Sequence, residues 1–429
     1  MTVNKMLRVT AVLLAVSLLL SGCVLGTLDE LYCLPKRSEE YENLQAVVDK
    51  AMAGLEYCAP SYGENRQFMQ VADLDGDGVD EYLVFAKDGS DKPLKILIFC
   101  QLASGYVLMD TIEGYGFGYD FVSYAQMDDK PGLEIIVGRQ VSEQVLRSVS
   151  VYRFTSGFSR QLLSTGYSQI ATMDLDGDGI SELFLLSPGT SEKSRGTARL
   201  YSFYDGELQR SPEILLSASM TGFKMLVPGK LQDGKNVIYV TCASTDQSLV
   251  TDIFSMEDKQ LTTFTSGIFS DAIHNFYIYP QDIDADDVLE LPRILPLNKV
   301  TMDQRQEYMV QWYVLSSNNE MTIKRSTYHN LLDNWYLDLD NFDVEDLSVL
   351  QRESDCAFYY GSEKLFTIMV LTDADREEQA KQPGRIILYR GETSIYVASL
   401  EDYAVEHGME WLLKNQFHPI RVDVNTERD

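Results

Sequence analysis

Residues 71–86 read VADLDGDGVDEYLVFA and place five acidic side chains directly before an apolar run. The apolar run is typical of a buried strand. The three Asp side chains alternate with other residues and a Glu follows them, which suits a hard cation that takes six to eight oxygen ligands. Gly78 permits a sharp turn at the sixth position. The stretch therefore predicts an acidic loop between two strands.

Copies of this stretch recur along the chain. ATMDLDGDGISELFLL begins at Ala171 and YPQDIDADDVLELPRI begins at Tyr279, so the acidic loops lie about 100 residues apart. Two eroded versions lie between them, AQMDDKPGLEIIVG at Ala125 and PGKLQDGKNVIYVT at Pro228. The underlying period is about 50 residues, which is within the range of propeller blades.

Each period contains four short β-rich runs separated by turn residues; in the first period they are residues 67–72, 81–86, 94–100 and 106–112. Four antiparallel strands per unit, repeated radially, predict a mainly β fold, a β-propeller of about 50-residue repeats. Five units are found between residues 67 and 324, and the number of blades stays open. An amphipathic helix is predicted at residues 38–57. A small C-terminal α+β module with a closing helix at residues 400–415 is predicted after the propeller, or else this part supplies further propeller strands.

The pattern Asp-x-Asp-x-Asp-Gly-x-x-Glu between two strands resembles the calcium loop of FG-GAP or VCBS-type repeats, which occur in integrin α-chain propellers and bacterial surface proteins. The resemblance implies structural calcium at the first two loops and at a third, held by three Asp side chains, one backbone carbonyl and one Glu. The implied ligands are Asp73, Asp75, Asp77, the carbonyl of Val79 and Glu81; Asp174, Asp176, Asp178, the carbonyl of Ile180 and Glu182; and Asp282, Asp284, Asp286, the carbonyl of Val288 and Glu290.

The third loop departs from the pattern, because Asp287 stands where the first two loops have glycine. Asp tolerates the left-handed conformation better than most residues, so the turn is still expected. A helix-loop-helix calcium hand is excluded, since the closing Glu comes at position nine and a strand follows it. The alternative for all three loops is an Asp-rich turn held by hydrogen bonds from its own backbone, without metal.

The first 23 residues predict export. Lys5 and Arg8 precede an apolar segment of about a dozen residues, which is short of the roughly 20 that a spanning helix needs. The following Leu-Ser-Gly-Cys resembles the bacterial lipobox, which implies that Cys23 is lipidated and starts the mature protein; plain secretion and an uncleaved anchor are the alternatives. The protein is expected outside the cytoplasm, anchored to the bacterial cell membrane through Cys23.

The net charge and the cysteine spacing each argue against one class of function. The chain has 65 Asp and Glu against 36 Lys and Arg, and a net charge of −29 makes a nucleic-acid partner unfavourable. The five cysteines after Cys23 match no zinc or redox spacing, so buried thiols are expected, with a pair of Cys33 and Cys58 as the alternative.

Four segments are expected: a signal peptide with lipobox (1–23), a tether with an amphipathic helix (24–60), the propeller (61–325) and the α+β module (326–429). This layout also resembles surface lipoproteins of Gram-positive bacteria. No catalytic residue is predicted, because the four histidines are scattered and no HExxH or GxSxG motif occurs. His329 beside Trp335 and Tyr336 is the most site-like grouping, although such aromatic residues are usually core.

The favoured function is therefore a binding or adhesion module at the cell surface, with a protein or glycan ligand. Residues 114–119, GYGFGY, are the candidate contact loop, and a simple turn between two units is the alternative reading. The second hypothesis is an envelope glycan-directed hydrolase or lyase with its site in the C-terminal module.

Overall fold

The computed structural model describes residues 39–141, 147–191, 194–244 and 248–420. Within these ranges the chain is mainly β, and its strands form six antiparallel sheets that follow one another along the sequence. The predicted fold class is confirmed at this level. Cys23, Cys33 and Ser38, the first residue of the predicted helix, lie outside the described residues.

The first three sheets contain strands β1 to β14. The first sheet holds β1 (Glu56–Tyr57), β2 (Met69–Ala72), β3 (Glu81–Lys87), β4 (Leu94–Leu102) and β5 (Gly105–Gly114). The second holds β6 (Gly118–Ala125), β7 (Glu134–Gln140), β8 (Arg147–Thr155) and β9 (Phe158–Tyr167). The third holds β10 (Gln169–Met173), β11 (Glu182–Ser187), β12 (Arg195–Tyr204), β13 (Glu207–Arg210) and β14 (Ile214–Ser219).

The last three sheets contain strands β15 to β28. The fourth sheet holds β15 (Phe223–Lys230), β16 (Asn236–Ala243), β17 (Ser248–Glu257) and β18 (Gln260–Asp271). The fifth holds β19 (Leu291–Pro296), β20 (Tyr308–Leu315), β21 (Met321–Asn330), β22 (Trp335–Asp338) and β28 (Phe417–Pro419). The sixth holds β23 (Leu347–Gln351), β24 (Cys356–Tyr360), β25 (Glu363–Leu371), β26 (Arg385–Arg390) and β27 (Ile395–Leu400).

Each of the five repeat units found in the sequence corresponds to one of the first five sheets. The sixth sheet lies in the region expected to form the C-terminal module. The fifth sheet joins distant parts of the chain, because β28 pairs with β22. Its strand β21 spans residues on both sides of the expected boundary at residue 325, and the division into domains stays a prediction.

Neighbouring sheets share hydrophobic cores. In β7, Ile135 packs in a core with Phe85 of the first sheet, whereas Ile136 packs with Leu183 of the third. Successive side chains of a strand point to opposite faces, so a strand between two packed sheets is buried on both. Each fully buried aliphatic side chain contributes about 1.5–3 kcal/mol, and this explains why the strands after the acidic loops are apolar without interruption.

Helices cover the outer faces of the first and the sixth sheets. Helix α1 (Glu39–Ala51) buries Leu44 and Val48 against the face of the first sheet that is turned away from the second. Helix α2 (Arg376–Ala380) packs Ala380 against the sixth sheet in the same way. The predicted amphipathic helix is thus observed over residues 39–51, with its apolar positions on the sheet.

The single helix predicted at residues 400–415 is wrong in one respect. The structure has two helices, α3 (Asp402–Glu406) and α4 (Met409–Gln416). Gly408 separates them with φ of +68°, a left-handed conformation in which an α-helix does not continue.

Candidate metal centres

The acidic loop 1, residues 73–81, connects β2 to β3 as a tight turn around Asp73. The backbone N–H groups of Gly76 and Gly78 donate to the two carboxylate oxygens of Asp73, at 2.8 and 3.1 Å. Both glycines have positive φ, +75° and +85°, which only glycine adopts without strain. The loop closes where Ala72 pairs with Glu81 across the strands.

Acidic loops 2 (residues 174–182) and 3 (residues 282–290) repeat this geometry. The backbone N–H groups of Gly177 and Gly179 donate to the two carboxylate oxygens of Asp174, at 2.7 and 2.8 Å, and that of Asp178 also donates, at 3.1 Å. The N–H groups of Ala285 and Asp287 donate to the two oxygens of Asp282, at 2.7 and 3.0 Å, and that of Asp286 also donates, at 3.1 Å. Asp287 takes φ of +65°, as expected for a left-handed position, and Ala285 takes φ of +63°, which the sequence did not signal. A non-glycine residue in this conformation costs roughly 1–2 kcal/mol, so loop 3 is the most strained of the three.

The closing glutamates are buried. Glu81, Glu182 and Glu290 are 3%, 2% and 0% exposed. One oxygen of each accepts the backbone N–H of the second loop residue, at 2.8 to 2.9 Å. Burial is the main cause that raises the pKa of Glu81 and Glu182 to about 7, and it also raises the pKa of Glu290. An ionised carboxylate in such a place needs a positive partner.

The three carboxylates of each loop converge. Asp73, Asp75 and Glu81 each offer an oxygen within 4.8 Å of the others, and the sets Asp174, Asp176, Glu182 and Asp282, Asp284, Glu290 do the same. Two oxygens on opposite sides of one calcium ion are separated by about 5 Å, because each lies 2.3–2.6 Å from the metal. At loop 3, the second oxygen of Glu290 has no hydrogen-bond partner among the described residues. The donor set therefore fits calcium.

The fifth loop residues lie outside these three clusters. Asp77, Asp178 and Asp286 accept the backbone N–H of the seventh residue of their own loop, at 2.7 to 2.9 Å. Their role as ligands, and that of the carbonyls of Val79, Ile180 and Val288, stays a prediction. Hydrogen bonds of this kind also hold an Asp turn that binds no metal, so they are not evidence for a cation. The evidence for a cation is the burial of the closing glutamates.

Two of the acidic loops already hold a lysine. Lys259, from the turn between β17 and β18 of the fourth sheet, contacts Asp176 at 2.7 Å and also Asp178. Lys324, from β21, contacts Asp286 at 3.1 Å. Among the described residues, no Lys or Arg pairs with the acids of loop 1. Partial burial, followed by the charge of Asp77, raises the pKa of Asp75 there.

The eroded copy at residues 126–134, here called the arginine loop, has the same length and holds a guanidinium. Met127 donates its N–H to Glu134 at 2.6 Å, and Ala125 pairs with Glu134 across the strands. Arg153 of β8 contacts Asp128 and lies 2.7 Å from Glu134. All three side chains are at least nine-tenths buried. This loop thus pairs its buried acids with a cation of the same chain, Arg153. This pairing was not predicted from the sequence.

The loops also touch the next sheet. Leu133 donates its N–H to the carbonyl of Asp73 at 3.2 Å, and Asn236 donates its side-chain amide to the carbonyl of Asp174 at 2.6 Å. Gly132 packs so closely on loop 1 that an added Cβ would lie 2.4 Å from the carbonyl oxygen of Leu74. A cation in these loops therefore orders a junction between two sheets and not only one strand pair.

The site-like grouping around His329 forms part of an aromatic cavity of about 610 Å³ near the C-terminus of the described chain. Tyr336 stacks between His329 and His418, with ring centroids 5.2 and 4.7 Å apart. The hydroxyl of Thr327 accepts from Nε1 of Trp312 at 2.7 Å and lies 2.9 Å from Nε2 of His329. Burial lowers the pKa of His329 to about 4, and the imidazole is neutral.

The remaining expectations concern cysteines, membranes and relatives. Among the described residues, Cys58, Cys100, Cys242 and Cys356 form no disulfide with one another, and the alternative pair of Cys33 and Cys58 stays a prediction. No helix in the described ranges combines the length and apolar character that a membrane crossing needs. No protein-family model matches the chain, and no curated protein matches it.

Calcium should stabilise the protein. Thermal unfolding in millimolar calcium is expected to occur a few degrees above that in EDTA, and Asp75→Ala or Asp176→Ala should reduce the rise because each removes a converging carboxylate. Asp80→Ala is the matched control, since Asp80 is an exposed acid of loop 1 outside the cluster. Calorimetry measures the shift, and equal melting of the wild type in both buffers would contradict it.

Calcium affinity should depend on pH through the buried glutamates. A pKa near 7 means that protons compete with calcium below pH 7, so affinity should fall about tenfold from pH 8 to pH 6. Without calcium the sign is opposite: protonated glutamates favour folding, and their contribution is lost as the pH rises from 4.5 to about 7. Titration calorimetry at both pH values measures this, and a pH-independent affinity would contradict it.

Proposed function

We propose that this protein is an extracytoplasmic calcium-binding protein that serves as a binding or adhesion module at the bacterial cell surface. The observation that carries the proposal is the convergence of two Asp and one buried Glu in three loops of equal length. A site with a dissociation constant near 10⁻⁴ M gains about 1.4 kcal/mol in about 1 mM calcium, which suits a structural role outside the cell.

We also propose that the sheets are the blades of a propeller. Three facts support this: the sheets are antiparallel, they follow one another in sequence order, and each of the first five belongs to one repeat unit. Shared cores between successive sheets fit a radial arrangement. In this proposal α1 and α2 protect the outer faces of the terminal blades.

Two surfaces are candidates for ligand contact. Tyr115 and Phe117, each 63% exposed, lie in the short connection between β5 and β6. The GYGFGY segment is thus a turn between two sheets that also presents aromatic rings. Exposed aromatic side chains are enriched where proteins bind partners.

The aromatic cavity is the second surface, and it favours binding over hydrolysis. Its described lining residues include four tyrosines and two histidines, but no Asp, Glu, Lys or Arg. Hydrolysis of a glycan canonically requires a pair of carboxyl groups flanking the bond. Neutral ring faces with hydroxyl and amide groups beside them suit an uncharged saccharide. The hydrolase or lyase hypothesis therefore receives no support from this cavity.

Lipidation of Cys23 is tested by fractionation. Cys23→Ala should move the full-length protein from the membrane pellet to the soluble fraction, because the anchor is a lipid and not a helix. The blot should show the wild type in the pellet. Pelleting of the variant would refute lipidation.

Ligand binding is tested with immobilised protein and solubilised cell-wall saccharides, in calcium and in EDTA. Capture is expected in calcium only, and it should weaken in Tyr336→Ala while the exposed-tyrosine control Tyr204→Ala keeps it. Turnover of the saccharide that chelator does not affect would contradict the binding proposal and support an enzyme.

A further inference from the structure

Four loops of the same length differ in the basic side chain that contacts their acidic residues. The arginine loop holds a guanidinium, acidic loops 2 and 3 hold an ammonium, and acidic loop 1 holds no side-chain cation among the described residues. All four share the closing pair, in which the residue before the loop faces the ninth residue across the strands. The cations contact different positions of these loops: Arg153 reaches the third and ninth residues, Lys259 the third and fifth, and Lys324 the fifth.

The first difference between the arginine loop and loop 1 is the residue that lies beside the closing Glu on the next strand. Ile135 pairs with Tyr152 in the second sheet and Tyr82 pairs with Phe99 in the first, so Arg153 and Cys100 are the next residues of their strands beside Glu134 and Glu81. Among the described residues, loop 1 is thus the loop of the four with no Lys or Arg paired with its acids.

The arginine has more partners and is more deeply buried than the lysines. Besides its two carboxylates, Arg153 donates to the carbonyl of Pro131 at 2.9 Å and to the hydroxyl of Thr155 at 3.1 Å, and its side chain is 7% exposed. The side chains of Lys259 and Lys324 are 31% and 25% exposed. A lysine on a flexible stem can turn into solvent and remain hydrated there.

At loop 3 the lysine leaves part of the cluster unsatisfied. Lys324 reaches Asp286, which lies outside the converging set of loop 3, and the second oxygen of the fully buried Glu290 keeps no partner. A buried polar atom without a partner costs about 1–3 kcal/mol. In loop 3 the lysine therefore does not satisfy the buried carboxylate of Glu290.

We propose that Lys259 and Lys324 are exchangeable cations that hold loops 2 and 3 until calcium replaces them, so that loop 1 binds calcium first. This inference rests on the proposed calcium function and adds the order of binding. Calcium enters as a divalent ion, and the displaced ammonium keeps its proton and moves into solvent. Because Lys259 belongs to the fourth sheet and its partners to the third, the exchange also releases one contact between these sheets.

Calcium titration of four proteins, a parent and three lysine variants of it, measures the competition. In an Asp75→Ala background, which removes loop 1, Lys259→Met or Lys324→Met should tighten calcium binding about fivefold at the corresponding loop, because methionine keeps the stem without the charge. Lys364→Met is the control: Lys364 pairs with Glu401 at 2.9 Å in the sixth sheet and is 37% exposed. Unchanged affinity in both loop variants would overturn the inference.

Lysine reactivity gives a second readout on the wild type. Amine acylation followed by mass spectrometry should show faster modification of Lys259 and Lys324 in calcium than in EDTA, with Lys364 unchanged. If calcium binds but neither lysine becomes more reactive, the exchange is refuted and the calcium function stands. If no calcium binds in any loop, both proposals fail together.

Discussion

The structure depends on the burial of a carboxylate at the start of a strand. Glu81, Glu134, Glu182 and Glu290 are almost completely removed from water, and each fixes a backbone amide of the turn that precedes it. The hydrogen bond sets the loop conformation, but the remaining charge has to be neutralised by a proton or by a cation. Everything particular about these loops, from the left-handed turn residues to the basic side chains that reach them, follows from that requirement.

The neutralisation of the buried glutamates also affects how neighbouring sheets pack. The loops contact the following sheet through backbone and side-chain hydrogen bonds, and the cores between sheets begin one residue beyond the closing Glu. A change at one loop therefore reaches two sheets. The second sheet neutralises its buried acids with Arg153, at the expense of burying a charged network in which the loss of one partner is strongly destabilising.

The sequence predicted those features of the fold that depend on residues close together in the chain. The acidic loops, the strands on either side and the left-handed Asp287 follow from spacing and turn residues, and the runs at 81–86 and 94–100 match β3 and β4 closely. The cations did not follow, because Arg153 and Lys259 are remote in sequence from their acids and reach them only through strand pairing and sheet packing. The break at Gly408 was missed because apolar spacing continued across it. The sixth sheet was not found as a repeat unit because the residues between β23 and β24 do not repeat the pattern of the acidic loops or of their eroded copies.

The pairing of β28 with β22 has a consequence for how the chain assembles. A protein that leaves the ribosome or a translocon does so from its N-terminus, and units complete in sequence can fold as they emerge. The first four sheets meet this condition, since each is formed by a continuous stretch of chain. The fifth does not, because its edge strand is Phe417–Pro419 and the whole sixth sheet intervenes. The fifth sheet is thus the last to be completed, and truncation near the C-terminus would leave an unpaired strand edge exposed in a nearly finished molecule.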